Sequence, residues 1–508
     1  HSAMHNKSTN LLLNIGHALD HMFLLIFATA VTTIAKDFGV ERWEDLMPYS
    51  VAAFFFFGLG SMPAGRLGDL WGRRQMMIVF FVGIGLASTQ FDFSRRTLAA
   101  YQSLSAGETG GIPVIGNGVS LPLRDAVTVN ALMIHGLDFD DTHPRGVIHA
   151  TTSVLPSALG LATHRGQDGT ALLAAYILGI ETAIRLGAVA QGGFHQVGFH
   201  PTGLIGSFGC TLAAAHLMGL PTDQWVHAQG IALSLSAGSL EFLQDGAWTK
   251  RLHPGLAAAN GITAAHLAAQ GFLGPQATYE GRFGLYQSHL GPLTQQCDMA
   301  AATAGLGQVW ETLNIAVKPI PACHFTHACA DAASLLHDTW QGAAVRRIVA
   351  RVPTGTMKTV CEPLENKRRP ANAYEAQFSI PYSVATGLRF GRFTLDALEP
   401  SAYQDPQTLA LAAKVICEAD DEADFPRYFG GEVIVELEDG RTLRHHEPIN
   451  RGAEGRPISD ADIIGKFHDN AARAVNRAHA DAILNTVLDI EHHTASQLAH
   501  LLGQVAQR

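Results

Sequence analysis

Apolar positions along the chain recur with two different periods. At three- and four-residue spacing they fill 126–137, 171–191, 202–217, 224–236, 256–270 and 325–339, which predicts helices over those segments. The period then drops to two. VRRIVARV, Val345 to Val352, alternates as a strand does, and EVIVELEDGRTLRHHE, Glu432 to Glu447, reads as a hairpin with Asp439–Gly440 at its turn. Helix resumes near SDADIIGKF, Ser459 to Phe467, where Ser459 and Asp462 stand as a capping pair. The pattern predicts a mainly α fold: a large all-helical domain in two parts, 93–318 and 451–508, with a smaller α/β domain inserted at 319–450.

The first ninety residues read differently. Leu11 to Ala35 is almost continuously apolar, Val51 to Ala64 and Met76 to Ser88 form two shorter runs, and GRLGDLWGRR (Gly65–Arg74) separates those two. The first run is long enough to cross a bilayer, whereas the others fall short of the roughly 20 residues a span needs and read equally well as buried core helices. The loop GRLGDLWGRR resembles the one between the second and third membrane helices of major facilitator superfamily transporters. That resemblance covers only positions 10–90, while such a transporter needs about a dozen spans. Arg66, Arg73 and Arg74 would lie inside, and Arg95 and Arg96 just beyond the third run oppose a third crossing. Residues 1–92 are therefore expected to form an extra apolar helical segment, offering membrane contact through 11–88, on an otherwise cytoplasmic protein.

Composition narrows the function. Of 508 residues, 47% are apolar and only 16% charged, which argues against disorder. A net charge of −10 with no basic stripe leaves no footprint for nucleic acid. The six cysteines, 210, 297, 323, 329, 361 and 417, contain no CxxC pair and read as reduced structural thiols.

Against that charge-poor background, HGLDFDDTHPRGVIHATTS (His135–Ser153) holds three aspartates and three histidines. Asp138, Asp140 and Asp141 with His143 and His149 could ligate a metal, cap the end of a helix, or act in acid–base chemistry. No HExxH or similar partner motif supports a metal, and none is expected. Basic partners occur at three other places. GFHQVGFHPTGLIGSFG (Gly193–Gly209) offers His195, His200 and Thr202 at a helix entry, and lacks the GK[ST] ending of a phosphate loop. DGAWTKRLHPGLAAANG (Asp245–Gly261) brings Lys250, Arg251 and His253 just ahead of a small-residue helix. NIAVKPIPACHFTHACADA (Asn314–Ala332) sets Lys318 in a proline-stiffened turn before Cys323, His324 and His327. Singly, each lysine reads as a surface cation. Together the set suits proton abstraction beside a carboxylate, because the resulting enolate needs cations close by. Lysines would neutralise carboxylates, a histidine would move the proton, and an aspartate would orient the histidine, with no cofactor required.

The chain from about 93 to 480 resembles the MmgE/PrpD family, which includes 2-methylcitrate dehydratase, cis-aconitate decarboxylase and iminodisuccinate epimerase. The resemblance rests on LDFDDTH…H (Leu137–His149), GFHPTG (Gly198–Gly203), TKRLHPGLAAANG (Thr249–Gly261), KPIPACHFTHACADA (Lys318–Ala332), AQFSIPYSVA (Ala376–Ala385) and RPISDADIIGKF (Arg456–Phe467). It implies a helical domain with an α/β lid, a homodimer, no cofactor, and a small di- or tricarboxylate as substrate. By motif it places Asp138, His149, His200, Lys250 and Lys318 in the active site. His195, Thr202, His253 and Cys323 are the expected substrate contacts. Three positions depart from the family pattern. His149–Thr151 reads HAT where HPS is usual, Cys323 stands where the decarboxylase type carries histidine, and His195 where the epimerase type carries tyrosine. The second departure weighs against decarboxylation, so dehydration of a 2-methylcitrate-like acid is the leading expectation and epimerisation the next. The family's own first helices are expected to be missing, replaced by transporter-like sequence joined near Thr89–Phe93. A transporter fragment with a non-catalytic tail is the rival from another class.

Overall fold

The computed structural model describes residues 75–505 except 107, 109, 245 and 426. The apolar runs at 11–35 and 51–64 and the loop Gly65–Arg74 lie outside the described residues. Everything below belongs to one compact unit that begins at Arg73.

The third apolar run forms helix α1, Gln75–Ser88. Ile78, Val79, Phe80, Phe81, Ile84 and Leu86 on it are wholly buried in the main hydrophobic core. The chain then bends by 84° into α2, Asp92–Leu104. The expected boundary at 92 is therefore misplaced, since α1 is part of the helical core. An apolar run of this length looks the same facing lipid or facing protein, and only its neighbours distinguish the two.

The core proper is built from α3 (Leu123–His135), α4 (Ala150–His164), α5 (Gly169–Val189), α6 (Gly206–Leu217), α7 (Thr222–Leu235) and α8 (Thr249–Ala269). Helix α6 is central and packs on α4, α5, α7 and α8. It can do so because of its small residues. A Cβ added at Gly209 would lie 2.5 Å from the Gly179 carbonyl oxygen of α5. Helix α5 is long and apolar enough to cross a membrane, but 78% of its apolar window is buried within the protein, as in a core helix.

Near Cys323 the chain enters a second apolar cluster centred on a four-stranded sheet of order β6–β5–β7–β8. Its strands are β5 (Val345–Pro353), β6 (Val415–Asp420), β7 (Gly431–Leu437) and β8 (Thr442–Glu447), with β6 parallel to β5 and the others antiparallel. The β7–β8 hairpin turns where expected, and Gly440 takes the positive φ, +89°, that the turn needs. Helices α9 (His327–Trp340) and α10 (Ile380–Phe390) pack against this sheet region. The chain returns to helix in α11 (Asp460–Ala471), α12 (Arg477–Leu488) and α13 (Ala495–Gly503). The Ser459–Asp462 capping box is formed as read. Among the described residues the molecule is mainly helical, with this four-stranded sheet and two two-stranded ones.

Candidate active site

Two short strands bring the acidic loop and the proline-stiffened turn together. Strand β3, Asp141–Thr142, pairs antiparallel with β4, Ala316–Val317, and the Lys318 amide donates to the Asp140 carbonyl at 3.1 Å. Asp141 thereby lies beside Val317 and Thr142 beside Ala316, although they are distant in sequence. Helix α8 begins earlier than its apolar period suggests, at Thr249, so Lys250, Arg251 and His253 lie on its first turns rather than before it. Pro254, the sixth residue of the helix, removes the donor that would meet the Lys250 carbonyl, and the helix continues through it.

Asp138 sits at the centre with a left-handed backbone, φ +50°, a conformation that aspartate adopts more readily than most residues. One of its oxygens, Oδ1, accepts from Lys250 Nζ and from Lys318 Nζ, each at 2.8 Å. Its other oxygen, Oδ2, is buried without a protein partner. Burial would push the Asp138 carboxyl up, but the two ammonium groups outweigh it and hold it well below the usual range. Lys318 is 1% exposed and also donates to Asp140 Oδ1 at 3.0 Å. Burial works against its charge, and Asp138 and Asp140 more than restore it.

Four histidines surround this ion cluster. His149 precedes α4 and donates from Nδ1 to the Asp141 carbonyl, which leaves the lone pair on Nε2. Burial lowers its pKa to about 3, so the ring is neutral at physiological pH. The rings of His135, His149 and His200 lie 5.2–6.0 Å apart, centroid to centroid. His200 and His253 share a proton between their Nδ1 atoms at 2.9 Å, and His200 Nε2 is buried with no protein partner. Burial, reinforced by His253 and Lys250, holds His200 well below the ordinary imidazole range.

Asp138, both lysines, His149 and His200 border a cavity of about 110 Å³. Of the expected residues, Asp138, His149, His200, Lys250, Lys318, His195 and Cys323 line it. Thr202 and His253, expected at the substrate, do not. Thr202 Oγ1 accepts the His149 amide at 3.1 Å and His253 backs His200, so each acts on a histidine instead. Burial pushes the Cys323 thiol up to about 11, which keeps it neutral.

Two residues outside the expected active-site set, Asp140 and His135, belong to this cluster. Asp140 is wholly buried and accepts from both His135 Nδ1 and Lys318. Asp138 and Asp140 are i and i+2, so both reach one lysine because the backbone turns left-handed at the first. No spacing rule in the sequence signals that. His324, Phe378 and Phe429 also line the cavity from the sheet-bearing part. Ligand atoms of Asp138, Asp140 and His149 lie within 4.8 Å of one another, close enough for a metal ion. The Lys318 ammonium already sits between the two carboxylates, as a cation would.

Comparison with known proteins identifies the family. The MmgE/PrpD N-terminal domain matches residues 69–297 and the C-terminal domain 320–491. The first match begins before α1, so the helix read as transporter-like falls inside the family's own domain. The chain is 28% identical to cis-aconitate decarboxylase of Homo sapiens, over 88% of this chain and 93% of that protein. It is 26% identical to the cis-aconitate decarboxylase-like protein oryM of Aspergillus oryzae, over 87% and 94%. A cis-aconitate decarboxylase of Aspergillus terreus is 24% identical over 86% and 92%. With both domains matched in order and the ion cluster built from that family's motifs, the chain belongs to the MmgE/PrpD family of enzymes.

Proposed function

We propose that this enzyme is a lyase for a small tricarboxylic acid and works by forming an enolate beside a carboxylate. The observation that carries the reading is the pair of ammonium groups, Lys250 and Lys318, sharing Asp138 Oδ1 at the wall of a cavity that also holds a neutral His149 with its Nε2 free. A carboxylate substrate entering the cavity meets Lys250 and Lys318, which stabilise both its charge and the charge that develops. His149 Nε2 takes the proton, Asp138 and Asp140 keep the lysines charged, and His200 Nε2 serves the leaving hydroxyl. Chemistry of this kind asks nothing of a cofactor.

Dehydration of a 2-methylcitrate-like hydroxy acid suits these groups best, because elimination begins with a base and His149 is present as one. Decarboxylation of an aconitate-like acid is the second reading, favoured by the activity named for the relatives. It needs a proton donor for the carbanion, and Cys323, a neutral thiol on the cavity wall, is the group at hand. Epimerisation would use the same base. On any of these readings the sheet-bearing part acts as a lid, since His324, Phe378 and Phe429 reach the cavity from it, and two chains pair as a homodimer.

One experiment addresses all of them. The protein is incubated in heavy water with 2-methylcitrate, citrate, cis-aconitate and a panel of dicarboxylates, and followed by proton NMR. Deuterium at the carbon beside a carboxylate, with an alkene product, is the expected result. Release of carbon dioxide from aconitate selects the second reading. Neither exchange nor product across the panel sinks the proposal.

A further inference from the structure

The motif RPISDADIIGKF carries, one place before its end, a lysine that the chemistry above does not use. Lys466 lies on α11, far in sequence from every group in the site, and its side chain reaches inward from a partly exposed helix. Its Nζ donates to the Phe139 carbonyl at 2.8 Å and to the Lys318 carbonyl at 2.8 Å. It also lies 3.2 Å from the centroid of the Phe139 ring and 3.3 Å from that of Phe80. Among the described residues no carboxylate pairs with it. Burial holds the Lys466 amino group well below its ordinary pKa, with Asp140 only partly restoring its charge, and a lysine buried at that cost among carbonyls and ring faces points to a role beyond stability.

The two carbonyls identify that role. Phe139 stands between Asp138 and Asp140, and the second carbonyl belongs to Lys318 itself. These are the segments that β3 and β4 bring side by side, through only two residue pairs. A two-residue ladder is a weak clamp. Lys466 adds a tie across it from the opposite side, at the level of the Asp138–Lys318 ion pair. Phe80 of α1 and Phe139 form the aromatic walls that fix where its amino group sits, and α1 and α11 pack tightly enough that a Cβ at Gly83 would lie 3.0 Å from the Phe467 ring.

We propose that Lys466 is a positioning residue of the active site, holding the Asp138–Asp140 loop and the Lys318 segment in one register by bonding a backbone carbonyl on each. It touches no substrate and acts through Asp138 and Lys318. The effect on turnover rests on the function proposed above, whereas the effect on backbone order does not.

The test compares the full chain with Lys466→Met, Lys466→Arg and Phe80→Leu. Methionine keeps the length and loses both donors; arginine keeps charge and donors; Phe80→Leu removes one wall and serves if Lys466→Met fails to fold. Amide hydrogen exchange is read by mass spectrometry over peptides covering 137–142 and 315–319, with peptides from β5–β8 as the control. Lys466→Met is expected to exchange faster in those two segments alone, with melting close to wild type. On the acid that wild type turns over, kcat falls at least about tenfold while KM stays within about threefold, and arginine recovers part of the loss. Unchanged exchange overturns the proposal. So does local loosening with unchanged turnover, or a loss of protection shared by β5–β8, which would mark Lys466 as simply structural. If wild type turns over no acid offered, the proposed function fails, and the exchange measurement still decides this inference.

Discussion

The molecule contains two sets of ion pairs that look alike on paper and differ in what surrounds them. On the sheet, Arg351 meets Glu418 at 3.2 Å across β5 and β6, both side chains nearly half exposed at 45% and 46%. In the site, Lys318 meets Asp138 at 2.8 Å with side-chain exposures of 1% and 6%. Water screens the first pair, so it adds little to stability. The second has lost its water, and its attraction must offset a desolvation cost of several kcal/mol per ion. Burying two acids and two lysines at one point is a poor way to stabilise a fold and a good way to hold charge ready for a substrate.

Four experiments would break or sharpen that contrast, and the largest effect concerns the support behind the buried set. Deleting residues 1–91 removes α1, including Phe80, Phe81 and Ile84, each 0% exposed. Losing several fully buried large side chains, at roughly 2–5 kcal/mol each, exceeds the stability of an ordinary domain. The truncated chain should be insoluble or unfolded by circular dichroism. A chain beginning at Arg73 keeps all of that core and should melt cooperatively.

Next is the buried cation. Lys318→Met leaves Asp138 with one ammonium and Asp140 with none, and should cost roughly 3–5 kcal/mol in denaturant unfolding. Turnover should fall by at least about a thousandfold. His149→Gln should separate the two effects, losing about a hundred- to ten-thousandfold in kcat while unfolding near the wild-type midpoint.

A smaller effect depends on pH. Asp141 is fully buried beside Asp140, and burial first and that neighbour second raise its pKa from 3.8 to about 7. Its folded form thus holds a proton that the unfolded chain releases. The sign follows: its contribution is fully present below pH 3.8, declines between there and about 7, and is gone above. Asp141→Asn, which keeps an acceptor for the Thr151 hydroxyl now at 2.7 Å, should flatten that decline and unfold later than wild type at pH 8. Asp138 and Asp140 slope the opposite way, their stabilisation being lost on acidification below the usual carboxylate range.

The smallest effect belongs to the exposed set. Glu418→Gln should move stability by no more than about 0.5 kcal/mol and leave turnover unchanged. A large loss there would mean that exposure is not what distinguishes the two sets.

Much of this was legible in the chain because it is local. Helical and strand periods reported the core helices other than α4, together with β5 and the β7–β8 hairpin, and residue types at Ser459 and Asp462 announced a cap that depends on atoms three residues apart. Strand β6 escaped notice because VICEAD is short and its partner β5 lies more than sixty residues earlier. The early start of α8 was hidden by Pro254, which reads as a boundary until tertiary packing overrides it.

What the sequence by itself determined is the inventory: which segments must be buried, and that acids, histidines and lysines recur in the order of the MmgE/PrpD motifs. Tertiary structure decided the assignments. It put α1 in the protein core, because an apolar helix carries no record of what covers it. It moved Thr202 and His253 behind the histidines that face the cavity. It brought Asp140, His135 and Lys466 to the site through a left-handed turn at Asp138 and a strand pair joining distant residues. Both are properties of where the backbone goes, and side-chain identity does not encode them position by position.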